Sequence, residues 1–116
     1  MAYEVVDATY VLENLGKMPL VDVRPEAMYE EGRIPGAISI QLMKAKEAEG
    51  DTATVFVDEF AGHGLQPSDE FIVYCYNGGL AHEACDLLES KGYTGQKCYE
   101  GSWVDWITDE SRPIEH

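Results

Sequence analysis

Cys75 has the richest chemical setting in this chain. It ends the apolar run Phe71-Ile72-Val73-Tyr74 and is followed at once by Tyr76-Asn77-Gly78-Gly79-Leu80-Ala81, a glycine-bearing turn that leads into a segment of helical period. A thiol at the carboxyl end of a buried strand stands where open α/β sheets place their ligand crevices. Successive backbone N–H groups in such a turn, next to a helix start, make a cradle for negative charge. A thiol held there is expected to favour its thiolate, the nucleophilic form. Gly78 and Gly79 admit positive φ and a close approach by substrate. Taken singly, Cys75 reads more simply as a buried structural residue, since free cysteine is among the most buried types.

The other reactive residue types carry less. Cys85 lies ten residues beyond Cys75 with a helical segment between, so it faces the core and makes a poor resolving thiol. Cys98 falls in an apolar segment and reads as structural. An odd number of cysteines without a secretory signal argues against a disulfide framework. The three cysteines and three histidines have no zinc-ligand spacing, so no metal site is expected. His82 stands one turn into the helix after Cys75; it is a candidate substrate contact or acid, though a solvated helix position is the plainer reading.

Strands and helices must alternate to place these residues. Asp7 can cap a helix from Ala8 to Leu15, stopped by Gly16. Leu20-Val21-Asp22-Val23 reads as a short buried strand. Pro25 to Glu31 suits a short helix with Pro near its first position, ended by Gly32. Ile34-Pro35-Gly36-Ala37 is a turn, and Ala37 to Ile40 a second strand. Residues 41–53 read as a surface loop or broken helix, and Thr54 to Ala61 as a helix closed by Gly62 and Gly64. Phe71 to Cys75 is the clearest strand, Leu80 to Lys91 the clearest helix, with Gly92 as its stop. Gln96 to Tyr99 would be the last strand, and Gly101-Ser102 would open a short helix carrying Trp103 and Trp106. The pattern predicts one α/β domain with a mainly parallel central sheet flanked by helices on both faces.

Four segments in register then carry a family resemblance. Leu20-Val21-Asp22-Val23-Arg24 and Tyr29-Glu30-Glu31-Gly32-Arg33-Ile34-Pro35-Gly36-Ala37 are similar to the N-terminal rhodanese signature, an apolar pair, Asp-x-Arg, then Tyr-x-x-Gly-His-Ile-Pro-Gly-Ala. Val73 to Leu80 resembles the family's strand and six-residue active-site loop. Leu87-Leu88 with Lys91-Gly92-Tyr93 resembles the end of the next helix, and Tyr99-Glu100-Gly101-Ser102-Trp103 with Trp106 the closing segment. The Gly-Ser-Trp form is especially like the catalytic half of tandem-domain thiosulfate/3-mercaptopyruvate sulfurtransferases. The resemblance runs from about Leu20 to Trp106, within a single domain spanning residues 1–116 that could be cut from a longer chain.

The resemblance implies a sulfurtransferase. Cys75 would take a sulfane sulfur from a donor such as thiosulfate or 3-mercaptopyruvate and hold it as a persulfide within the loop of Tyr76, Asn77, Gly78, Gly79, Leu80 and Ala81. It would pass that sulfur to a small thiol or a protein acceptor, without metal or organic cofactor. Asp22 and Arg24 would support the loop, with an ordinary structural ion pair as the equal alternative. Arg33, His82 and Trp103 are candidate substrate contacts; the plainer reading puts Arg33 on a surface turn and Trp103 in end packing. The departures from the family's pattern are Tyr76 and Leu80 in the loop, Met28 where tandem enzymes often carry Arg, and Arg33 for the usual His. Tyr76, Leu80 and Met28 stand where the cations expected around an anionic donor would be. A phosphatase reading fails because no Arg follows in the loop to clamp a phosphoryl group. The rival reading is a rhodanese-homology binding or regulatory module with little turnover.

The net charge of −14, from 22 acidic and 8 basic residues, disfavours nucleic acid and anionic membrane surfaces as partners. It suits solubility, or docking of a basic protein partner. Met1-Ala2-Tyr3-Glu4 shows no signal-like segment, and a cytoplasmic protein is expected. Glu115-His116 reads as the stub of an added tail and is given no role.

Overall fold

The computed structural model describes residues 3–116. Met1 and Ala2, the start of the segment read for a leader, lie outside the described residues. Among the latter, five parallel strands form one sheet in the order β1-β5-β4-β2-β3: β1 (Glu4–Val6), β2 (Leu20–Asp22), β3 (Ile38–Ser39), β4 (Phe71–Tyr74) and β5 (Gln96–Tyr99). Six helices accompany them: α1 (Ala8–Glu13), α2 (Glu26–Glu31), α3 (Leu42–Glu47), α4 (Thr52–Gly62), α5 (Gly79–Ser90) and α6 (Ser102–Trp106). No helix is long and apolar enough to cross a membrane among the described residues.

The strand period of two divides the core. Phe71, Val73 and Cys75 face one side with Val21 and Cys98, against Phe56 and Phe60 of α4 and Ala81, Ala84, Cys85 and Leu88 of α5. Ile72 and Tyr74 face the other with Leu20 and Tyr99, against Val11 of α1 and Trp106 of α6. Each wholly buried large apolar side chain contributes about 1.5–3 kcal/mol relative to exposure. The central strand is therefore apolar on both faces, as a covered parallel sheet requires. The same alternation fixes the side on which Cys75 emerges, which is that of α5.

Several boundaries differ from the sequence reading, each for a local reason. β1 was not foreseen: three residues leave no period to read, and the strand exists through pairing of Val5 with Cys98. α1 is capped by the Asp7 carboxylate, which accepts from Tyr10 N–H at 2.9 Å, but it ends at Glu13 in a run of turns before Gly16. Pro25 is the cap of α2 and not its first residue. The Asp51 carboxylate accepts from Thr54 N–H at 3.0 Å and starts α4 two residues early. The 41–53 stretch contains α3, and the strand at 37–40 shrinks to Ile38–Ser39.

Glu115, given no role in the sequence reading, is tied into the fold. Its backbone exchanges two hydrogen bonds with Arg33, at 2.9 and 2.8 Å, and its carboxylate pairs with the Arg33 guanidinium at 2.8 Å. The Gly36 N–H and Arg33 hold the Glu115 carboxyl below the usual carboxylate range.

Candidate active site

β4 ends at Tyr74, so Cys75 is the first residue beyond the ladder. Its N–H is taken by the Ser102 hydroxyl at 3.0 Å, and its carbonyl by Trp103 N–H at 3.0 Å. Val104 N–H bonds the Tyr76 carbonyl at 3.0 Å. The β5–α6 corner thus grips the backbone on both sides of the thiol. Ser102 holds a φ of +57°, rare for a residue with a side chain. Its wholly buried hydroxyl accepts from Cys75 and donates to the Tyr99 carbonyl at 2.9 Å, which keeps that conformation in place. The single hydroxyl proton goes to Tyr99, so the oxygen, 3.7 Å from Cys75 Sγ, is a neighbour of the sulfur rather than its main donor.

The donors to sulfur come from the backbone. Gly78 N–H reaches Cys75 Sγ at 3.1 Å and Ala81 N–H at 3.3 Å. Both belong to the turn that starts α5, so the helix's unsatisfied N–H groups converge on the thiol. Gly78 is left-handed at φ +99°, and a Cβ there would collide with the Glu100 carbonyl oxygen. Glycine is required at this position on both counts. Asn77 Oδ1 accepts from Gly79 N–H at 3.2 Å and sets the turn, while His82 N–H bonds the Gly78 carbonyl at 3.0 Å. The N–H groups of Tyr76, Asn77 and Leu80 meet no protein acceptor among the described residues. Cys75 is only 1% exposed, whereas Tyr76 beside it is 47% exposed.

A model of the rhodanese-like domain matches residues 7–109, nearly the whole chain and the whole of this site. The chain belongs to the rhodanese family. This rhodanese domain is 31% identical over 97 residues to the thiosulfate:glutathione sulfurtransferase of Homo sapiens, covering 83% of the chain and 84% of that protein. It is 31% identical over 100 residues to thiosulfate sulfurtransferase/rhodanese-like domain-containing protein 3 of Mus musculus, with 85% of the chain and 64% of that protein covered. A thiosulfate sulfurtransferase of Corynebacterium glutamicum is 30% identical over 121 residues, with 90% of the chain but only 40% of the relative covered. Among solved structures, a human single-domain sulfurtransferase superposes with a TM-score of 0.72 at 28% identity, over 91% of this chain and 96% of that one. The domain is of the rhodanese type, and its relatives are sulfurtransferases.

Within the rhodanese domain, the other sequence-nominated residues fall into separate roles. Asp22 and Arg24 form a buried pair, 2.8 Å between Oδ2 and Nη2. Tyr74 donates to the same carboxylate at 2.7 Å, and Arg24 Nη2 also donates to the Gly32 carbonyl at 2.6 Å. Burial opposes the Arg24 charge, but the Asp22 bonds and charge hold its pKa above the ordinary value. Burial and the Asp22 charge push the Tyr74 hydroxyl up. The guanidinium lies 4.6 Å from the Trp103 ring centre. The pair therefore reaches the thiol through Trp103 and Tyr74, not by touching the loop.

Arg33 is occupied by Glu115 and stacks on Tyr29 at 4.5 Å. His82 has both ring nitrogens engaged, Nδ1 with the Tyr3 hydroxyl and Nε2 with Glu100 Oε1, each at 2.9 Å. Trp103 does wall a cleft, with Tyr76, Met28 and Ile114. Leu80 tucks partly into the core. Cys85 and Cys98 are wholly buried and free, and the hydrogen bond that Cys85 makes to Cys98, together with burial, drives the Cys85 pKa upward. Ser102 was missed as a site residue; its only signal was membership of the Gly-Ser-Trp segment.

Proposed function

We propose that this domain transfers a sulfane sulfur through a persulfide on Cys75. The observation that carries the proposal is the pair of backbone N–H groups, from Gly78 and Ala81, aimed at Cys75 Sγ. These donors stabilise negative charge on sulfur without a neighbouring side-chain base. With thiosulfate as donor, the thiolate attacks the outer sulfur, the S–S bond breaks and sulfite leaves with the bonding pair. The product is the Cys75 persulfide anion. Tyr76, Asn77 and Leu80, whose N–H groups meet no protein acceptor among the described residues, are left to bond the outer sulfur. A thiolate acceptor, free or protein-borne, then attacks that sulfur, leaves as a persulfide and regenerates the Cys75 thiolate. With 3-mercaptopyruvate the thiolate attacks the thiol sulfur, the C–S bond breaks, and pyruvate leaves as its enolate and takes up the thiol's proton. Trp103 and Tyr76 guide the substrate in this reading, while Asp22 and Arg24 act as positioning residues.

Three free cysteines suit a reducing compartment, and we place the protein in the cytoplasm. We take residues 1–116 as one working unit, with its motif-bearing part at about 20–106.

Incubation with a sulfane-sulfur donor should add about 32 Da, the mass of one sulfur on the nucleophilic thiol. Cys75→Ser should abolish the adduct, and Cys85→Ser and Cys98→Ser should retain it. No adduct on the wild type with a panel of donors would establish the binding-module alternative instead.

A further inference from the structure

The charge around the mouth of the site bears on which sulfur carriers it accepts. Tyr76 and Trp103, on the two segments that meet at Cys75, line a cleft of about 260 Å³ with Met28 and Ile114, and its anionic rim residue is Glu31. On the other side of the loop stands Glu100, whose carbonyl abuts Gly78 and whose carboxylate is 64% exposed. Among the described residues no Lys or Arg is paired with either carboxylate. Arg24 floors the cleft but is 2% exposed and committed to Asp22 and the Gly32 carbonyl. Arg33, Lys46, Lys91, Lys97 and Arg112 are paired with carboxylates. Lys17 lines a different cleft with Pro19 and Leu20, at the opposite end of β2. Lys44, on the exposed side of α3, does not line the cleft of Tyr76 and Trp103. The imidazoles at the mouth are His82, bound to Glu100, and His116, bound to the Glu31 carbonyl.

We infer that the preferred sulfur carriers are small persulfides with a cationic body, with uncharged ones next and anionic ones last; this rests on the persulfide reading above. In the step concerned, the Cys75 thiolate attacks the outer sulfur of R–S–SH. The S–S bond breaks, R–S⁻ leaves with its electron pair, and Cys75 becomes the hydropersulfide. A carboxylate-bearing R group approaches against Glu31, Glu100 and the surrounding field of a chain with net charge −14, whereas an ammonium-bearing one is drawn in.

The test uses the full chain and three matched donors, the persulfides of 2-aminoethanethiol, 2-mercaptoethanol and 3-mercaptopropionate. The rate of appearance of the mass adduct is measured at about pH 8, above the ordinary imidazole range. Each rate is divided by that of the same persulfide with free 2-mercaptoethanol, because leaving-group basicity also sets exchange rates. In ~20 mM salt the ammonium donor should exceed the carboxylate donor by about tenfold, and in ~1 M salt the ratio should approach unity. Glu31→Gln with Glu100→Gln should shrink the low-salt ratio to about threefold. A carboxylate donor as fast as the ammonium donor, or a ratio insensitive to salt, would overturn the charge preference alone. Absence of the adduct with all three donors would overturn the persulfide reading beneath it.

Discussion

Cys75 and Cys85 are both thiols at no more than 1% exposure, and both belong to one core cluster with Cys98. Their polar partners differ. Cys75 Sγ receives two backbone N–H groups at 3.1 and 3.3 Å, from a turn and a helix start. Cys85 sits mid-helix on α5, where every nearby N–H is spent along the helix, and faces the Cys98 thiol. Burial alone raises a thiol's pKa and makes it inert. What sets Cys75, the proposed nucleophile, apart from Cys85 is therefore the supply of donors at the end of a strand, and not burial or exposure.

The largest break in that contrast is expected from Gly78→Ala. A non-glycine residue at left-handed φ costs about 1–2 kcal/mol, and pushing Cβ off the Glu100 carbonyl adds about as much again. The rearranged turn withdraws the Gly78 N–H from sulfur. We expect sulfur transfer to fall about 100-fold, on the scale of losing a preorganised donor to developing charge. Alkylation kinetics would show Cys75 approaching the inertness of Cys85, and denaturant unfolding would give the stability loss.

A smaller break is expected from Ser102→Ala, which strips the acceptor from Cys75 N–H and the donor from the Tyr99 carbonyl while keeping the strained φ. Leaving these buried groups unpaired should cost about 2 kcal/mol in unfolding experiments and slow transfer about tenfold. Ser102→Gly separates the two contributions. It should recover about 1 kcal/mol of stability by relieving the backbone, yet transfer as slowly as the alanine variant. Recovered activity in the glycine variant would show that the hydroxyl does not position Cys75.

Why one half of this site was legible and the other was not follows from chain separation. The Phe71–Tyr74 run and the glycines after Cys75 lie in nine consecutive residues, so strand, turn and helix start can be read from period and turn chemistry. β5 was placed at Gln96–Tyr99 for the same reason. Ser102 is 27 residues from the cysteine whose N–H it takes, and its φ has no counterpart in residue type. The Tyr3–His82 bond spans 79 residues and Arg33–Glu115 spans 82, pairings that only the closed sheet brings together. β1 likewise has meaning only beside β5.

The smallest effect tests the inert side of the contrast. With Cys98 bonded to it and burial around it, Cys85 stays protonated in the folded chain far above its ordinary range. In the unfolded chain an ordinary cysteine ionises near pH 8.5, at roughly the reference value. The sign follows: below that pH both states carry the proton and the full stability is present. Above it, the unfolded state alone loses the proton and stability falls, by up to about 1.4 kcal/mol per pH unit. In a Cys75→Ser background, which removes the proposed nucleophile, unfolding free energy should drop by about 1 kcal/mol from about pH 8.5 to 9.5. The buried Tyr74 and Tyr99 hydroxyls, also pushed up, add their own loss only as unfolded tyrosine ionises near pH 10, which leaves the lower window to the thiols. Adding Cys85→Ala should flatten that slope even though it lowers stability overall by leaving a small cavity. A slope unchanged by Cys85→Ala would mean that the thiol ionises as readily folded as unfolded, and the line between a donor-fed and a donor-starved cysteine would have to be drawn elsewhere.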